Sequence, residues 1–187
     1  MGINCLAIAD HGTIEGALLL KKMAPFTVII AEEIKTPYGE IMGLFLTKEI
    51  PRYLSVNDTI QQIQNQDGLV CIPHPGHLFR SSSYNINRLM DIQDKIDIIE
   101  VYNGHSYFPS SNNRAKQIAT QLNKVPSAGS DAHTLKEIGG VCIEMAEFST
   151  KEEFLVSLSH GKIIGHLANP FVHLFNTKNK IIKQLFN

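Results

Sequence analysis

The run Ile3-Asn4-Cys5-Leu6-Ala7-Ile8-Ala9 passes directly into Asp10-His11-Gly12-Thr13 and then into the segment from Ile14 to Met23. The stretch from Gly2 to Ala9 is short and apolar, as a fully buried strand is. Ile14 to Met23 reads as a helix, with Thr13 as its N-cap and Pro25 as its stop. Strand, polar corner and helix make one unit of an α/β chain, and the rest of the sequence repeats that unit.

Phe26 to Ala31 is apolar and β-branched and predicts a second strand, followed by the paired carboxylates Glu32 and Glu33. Thr36-Pro37-Tyr38-Gly39 is a turn signal, and the return through Glu40 to Leu46 predicts an antiparallel hairpin. Val56 to Gln66 has helical spacing, with Ser55 or Asn57 as cap and Gly68 as stop. Leu69 to Ile72 is a strand ending in Pro73-His74-Pro75-Gly76-His77. Further strands are predicted over Asp97 to Tyr102, Pro126 to Ala128, Val141 to Met145 and Lys162 to Ile164. Helices are predicted over Asn112 to Asn123, over Lys151 to His160 from a cap at Ser149 or Thr150, and over Phe171 to Phe186. Strands alternating with helices predict an α/β fold with a mainly parallel sheet, whose sites gather at the carboxyl ends of the strands.

The length of 187 residues suits a single domain over 1–187, with 165–187 as a C-terminal helical extension. Hydrophobic residues make up 43% and charged residues 19%, which is enough for a substantial core and excludes a disordered chain. A net charge of −1 gives no global attraction to nucleic acid or to an anionic membrane, so any polyanion must be gripped locally. Cys5, Cys71 and Cys142 are far apart and lie in apolar runs, as reduced core thiols do. No signal peptide or membrane span is read, so the expected location is cytoplasmic with no membrane partner.

His11, Glu33, His74, Asp131 and His133 are each expected just past the end of a predicted strand. In Gly129-Ser130-Asp131-Ala132-His133-Thr134, an extended backbone would turn Asp131 and His133 to the same side, where both reach one cation. Each residue also has a plain structural reading: a helix cap for His11, a solvated carboxylate for Glu33, a rigid-turn histidine for His74. Gathered on one face of a sheet, they point instead to a metal site. Mixed imidazole and carboxylate donors suit divalent zinc, manganese or iron, and a bridging carboxylate holds two such ions about 4 Å apart. Ions so held polarise a phosphoryl oxygen and acidify water, the two needs of phosphate ester hydrolysis. Arg80 reads equally as an exposed surface arginine and as the candidate catalytic clamp, since a guanidinium bonds two phosphate oxygens at once.

Asp10-His11-Gly12-Thr13, Glu33, Pro73-His74-Pro75, Ile99-Glu100-Val101-Tyr102-Asn103-Gly104 and Gly129-Ser130-Asp131-Ala132-His133-Thr134 occur in an order that resembles the PHP family, the polymerase and histidinol phosphatase domains. The resemblance runs from Gly2 to about Gly161. It implies a distorted barrel of seven strand and helix units, with a metal cluster at the strand carboxyl ends that hydrolyses phosphoesters. By position it implies His11, Glu33, His74, Asp131 and His133 as metal ligands, with Glu33 bridging. Glu40 stands where many relatives place a histidine, which implies it as a further ligand, its plain reading being an exposed hairpin glutamate. Glu100 and Asn103 are implied to position a strand end by hydrogen bonds, while His77 and His105 lie near the site outside the ligand positions.

The family begins with a strand ending in His-x-His, then an aspartate and a helix, and no His-x-His pair occurs in this sequence. The barrel is therefore expected to be incomplete, lacking its first strand and helix. The edge of the Gly2 to Ala9 strand would then be exposed and invite pairing with another chain, including self-association. The implied function is a metal-dependent phosphoesterase acting on a nucleotide or a single-stranded nucleic-acid end, of the 5′-3′ exonuclease or nucleoside 3′,5′-bisphosphate phosphatase type. The alternatives are a phosphatase of small phosphorylated molecules such as histidinol phosphate, and a non-catalytic module that binds metal or phosphate.

Overall fold

The computed structural model describes residues 2–75, 83–106 and 108–165. In chain order these form β1 (Cys5–His11), α1 (Glu15–Met23), β2 (Thr27–Thr36), β3 (Gly39–Leu44), α2 (Val56–Gln64) and β4 (Leu69–Ile72). Two short 3-10 turns (Ile86–Arg88, Met90–Lys95) lead to β5 (Ile98–Asn103), α3 (Pro109–Gln121), β6 (Val125–Gly129), β7 (Val141–Glu144), α4 (Lys151–Ser159) and β8 (Lys162–Gly165). The expected helix over Phe171 to Phe186, most of the extension over 165–187, and Arg80 lie outside the described residues.

Helix starts follow their local chemistry. Ser55 caps α2 by accepting the Asp58 N–H at 3.1 Å. Thr150 and Glu153 cap α4 reciprocally, each side chain accepting the other's backbone N–H. Thr13 is not the N-cap of α1. Ile14 holds that position without a side-chain bond, while Thr13 accepts the Glu15 N–H at 3.2 Å and donates its own proton to Glu49. Helix α3 starts earlier than Asn112 because Pro109 is preset for the first helical turn.

Six strands form one sheet in the order β1-β2-β3-β4-β5-β6, and β7 and β8 form a separate antiparallel pair. β1 pairs parallel with β2, and β4 with β5 and β5 with β6 likewise, while β3 runs antiparallel to both neighbours. The sheet is therefore mixed around the expected hairpin. It curls into a half-barrel. Strand β2 also runs beyond the expected end at Ala31, because Glu32 to Thr36 remain laddered to β3 and, through Glu33, to β1.

Side chains alternate across the sheet and build two cores. On the convex side, Ile30, Ile34, Ile41, Val70, Ile72 and Ile99 meet Ile14 at the N-cap of α1 and Ala17 within it, Val56, Ile60 and Ile63 of α2, and Ile118 and Ala119 of α3. On the concave side, Ile29, Ala31, Leu69, Cys71 and Ile98 pack with Phe154 and Leu158 of α4. Phe154 meets Phe45 and Phe148 edge-on, with centroids 5.2 and 5.0 Å away. Burying one such isoleucine stabilises the fold by roughly 2 kcal/mol, so this periodicity decides which way each strand faces. Ile29, Ala31 and Glu33 share the concave face, and Glu33 is thereby carried to the carboxyl end of the half-barrel's interior.

Candidate metal centre

Glu33 is the hub of the site. In β2 it sits in register with His11 of β1 and Met42 of β3, and its carboxylate reaches both flanking histidines. Its Oε2 lies 3.2 Å from His11 Nδ1 and its Oε1 lies 2.9 Å from His74 Nε2. Glu40, on β3, places Oε1 3.5 Å from His11 Nδ1 and Oε2 4.0 Å from His74 Nε2. Ligand atoms of His11, Glu33 and Glu40 all lie within 4.8 Å of one another. Two carboxylates and two imidazoles from β1, β2, β3 and the turn after β4 thus converge on one small volume.

Burial makes this arrangement chemically costly. Glu33, Glu40 and His74 are 7%, 1% and 3% exposed, whereas the His11 side chain is 51% exposed at the mouth. Glu40 Oε2 has no hydrogen-bond partner among the described residues. A buried carboxylate oxygen without a donor is unfavourable unless a cation offsets it. The donor set of His11, Glu33 and Glu40 therefore fits a divalent ion, and His74 lies against the same two carboxylates.

Asp131 and His133 form an adjoining cluster outside that three-residue group. The expected extended geometry does not occur: Asp131 has φ of +50°, and the chain turns there after β6 ends at Gly129. The turn still brings the two residues together, with His133 Nδ1 3.7 Å from Asp131 Oδ1. A buried relay joins them to the hub. Glu100 Oε2 accepts the His74 N–H at 2.9 Å and the Asn103 amide at 3.0 Å, and the same Asn103 nitrogen lies 3.3 Å from Asp131 Oδ2. Glu100 and Asn103 position strand ends, as expected. Burial, reinforced by the Asp131 charge, pushes the Glu100 carboxyl up to about 7, against the opposing pull of His74 and Asn103.

The strand-end placement holds for His74, Asp131 and His133 but not for the other two. His11 is the last residue of β1, and Glu33 lies inside β2 because the ladder continues past it.

Glu137 was not anticipated. Its Oε2 accepts the His133 N–H at 3.0 Å and the Thr134 hydroxyl at 2.9 Å, and its Oε1 lies 3.2 Å from His105 Nδ1. Burial raises this carboxyl, but the donated hydrogen bonds and the nearby His105 outweigh it and leave it below its ordinary value. His105 in turn stacks on His133 with centroids 4.9 Å apart. The sequence signal was only a carboxylate four residues beyond a histidine.

Comparison with known proteins gives these features a lineage. Residues 109–163, from α3 into β8, match the PHP_C family, described as PHP-associated. The uncharacterized protein MJ1587 of Methanocaldococcus jannaschii is 39% identical over 127 residues, covering 66% of this chain and 68% of that protein. MJ0417 of the same organism, also uncharacterized, is 32% identical over 127 residues, and the chain spans only 54% of its length. Among solved structures, a two-domain protein from Bacteroides vulgatus, described as containing a predicted PHP-like metal-dependent phosphoesterase, superposes with a TM-score of 0.70 at 17% identity. That likeness covers 89% of this chain and 57% of the other, and at such identity it concerns the fold. With a PHP-associated segment behind a half-barrel of the same shape, and a relative matched over two thirds of its length, this chain belongs to the PHP family.

Proposed function

We propose that the protein is a metal-dependent phosphoesterase whose ion is held by His11, Glu33, Glu40 and His74, with Asp131 and His133 as ligands on the adjoining side. The convergence of two buried carboxylates and two imidazoles at one strand end carries this reading. The description of the B. vulgatus structure points the same way. When bound, a divalent ion supplies Lewis acidity toward phosphate oxygens and water. The chain's own residues divide the remaining work. Buried Glu40 and His74 close the back of the site, and half-exposed His11 leaves the front open to an ester. Asn103 fixes Asp131, and Glu137 fixes the backbone of His133, so both enter the site already oriented.

Mixed nitrogen and oxygen donors favour manganese, zinc or iron. For the substrate we propose a nucleotide or a nucleic-acid end, of the exonuclease or bisphosphate phosphatase type, with Arg80 as the phosphate clamp carried over from the sequence. No helix among the described residues is long and apolar enough to cross a membrane, and a cytoplasmic location is proposed from the free thiols. The outer edge of β1, unpaired among the described strands, is proposed as a site of self-association. The test is phosphate release from a panel of nucleotides, single-stranded oligonucleotides and small phosphomonoesters, after chelation and readdition of manganese or zinc. Metal-dependent turnover is expected. Tight metal binding without turnover on any of them would instead establish a non-catalytic module.

A further inference from the structure

His11 is the member of the site that burial does not fix. Glu33, Glu40 and His74 are 7%, 1% and 3% exposed, whereas the His11 side chain is 51% exposed. It is also the last residue of β1, which pairs with β2 alone among the described strands. Gly12 N–H donates to Glu33 O at 3.1 Å, and a trans peptide turns the preceding carbonyl the opposite way, so His11 O faces away from β2. The Arg52 guanidinium donates to that carbonyl from Nη2. It also lies against Gly12, which has φ of +65° and where a Cβ would stand 1.8 Å from Arg52 Nε, so only glycine admits the guanidinium behind His11.

Arg52 belongs to the connection over residues 45–55, between β3 and α2, and that connection is anchored along its length. Leu46 and Ile50 are each 2% exposed and belong to the convex core that also takes Ile14. Ile50 N–H donates to the buried Glu32 Oε2 at 2.9 Å, Leu46 N–H to Ile30 O at 3.0 Å and Tyr53 N–H to Lys35 O at 2.7 Å. Phe45 and Tyr53, near its two ends, have φ of +61° and +63°, a left-handed backbone that a residue with a side chain holds only where its surroundings enforce it. Glu49 supplies a second grip on the same corner, its Oε1 accepting the Thr13 hydroxyl and the Ile14 N–H. One rigid connection thus reaches residues 11, 13 and 14 through two side chains.

We propose that the 45–55 connection is a strap that sets His11 for the metal, with Arg52 and Glu49 as positioning residues acting through the backbone of the Asp10 to Ile14 corner. The inference rests on the metal centre of the proposed function. With that backbone fixed, the imidazole has only its own side-chain torsions to settle on the ion, which lowers the ordering cost of binding. Without Arg52 the end of an edge strand frays, and the ligand it carries loses its place.

The test is calorimetric titration of manganese into the chelated full chain, for the wild type, Arg52→Gln, Arg52→Lys and Glu49→Ala, each with and without His11→Ala. Arg52→Gln should weaken binding about tenfold, the loss typical of a residue that orients a ligand. Arg52→Lys should recover most of it, because an ammonium also donates to the carbonyl, and Glu49→Ala should act in the same direction as Arg52→Gln. In the His11→Ala background both losses should shrink to about twofold or less, since a residue that acts through His11 has nothing left to position. Losses of equal size with and without His11, or Arg52→Gln binding as the wild type does, would overturn the strap. If Arg52→Gln disturbs folding, Glu49→Ala carries the same comparison. NMR relaxation of the His11 ring in the chelated protein gives a readout free of metal, and the ring should move with larger amplitude in Arg52→Gln than in the wild type. If the wild type binds no manganese, the metal-centre reading falls and ring motion alone decides: a ring as mobile in the wild type as in Arg52→Gln overturns the strap, and a ring released only in the variant upholds it.

Discussion

Replacing Glu40 by Gln should stabilise the metal-free protein while weakening its grip on metal, two effects of opposite sign from one atom. Ligand atoms of Glu33 and Glu40 lie within 4.8 Å of each other, and Glu40 is 1% exposed. At an effective dielectric constant of about 20, two negative charges so placed repel by about 3 kcal/mol. His11 and His74 offset part of that, so the amide should gain roughly 1–2 kcal/mol, a rise of about 3–6 °C in melting midpoint for a domain of this size. Loss of a charged ligand should weaken metal binding at least about tenfold, or ~1.4 kcal/mol. At a metal concentration near 100 times the wild-type dissociation constant, metal stabilises the wild type by about 2.7 kcal/mol and the variant by about half that. Calorimetric melts of chelated and manganese-loaded samples read both quantities. A metal-free variant that melts lower than the wild type, with an undiminished rise on adding metal, would refute the reasoning.

Two further predictions concern the scaffold. Gly39 has φ of +125°, and a Cβ there would come within 2.4 Å of Tyr84 Cα, so Gly39→Ala should cost roughly 2 kcal/mol or more by denaturant titration. The Thr13 hydroxyl and the Ile14 N–H hold the Glu49 carboxyl below its ordinary value. A depressed carboxylate contributes stability above its unfolded pKa, near 4.5, and loses it as pH falls through the folded value. Thr13→Val should therefore be destabilising near neutral pH, and the gap to the wild type should close in acid; a gap independent of pH would disprove this link.

The alternation of strand and helix was legible because each core face repeats with its own period, as in Ile29-Ala31-Glu33 against Ile30-Glu32-Ile34. The corners carrying His11 and His74 were legible because glycine and proline mark them. Glu33 was misplaced by one element, since paired glutamates look like the end of a strand when the flanking ladders are out of view. Asp131 and His133 meet through a left-handed turn rather than through the two-residue period of a strand. The 3-10 turns near Leu89 and Ile92 were missed because three-residue spacing in a polar stretch resembles a loop. Glu32, Arg52 and Glu137 had no local signature. Glu32 and Arg52 act on backbone groups 18 and 41 residues away, and Glu137 gains its meaning from His105, 32 residues upstream.

The central claim is that Glu33 joins His11 and His74 into a metal site, and its most direct test is calorimetric titration of manganese or zinc into the chelated wild type and Glu33→Gln. The account predicts saturable binding by the wild type and a loss of at least about a hundredfold, ~2.7 kcal/mol, in the variant, because the shared carboxylate is removed from both histidines at once. Equal affinity in the two proteins, or no binding by the wild type, would contradict it.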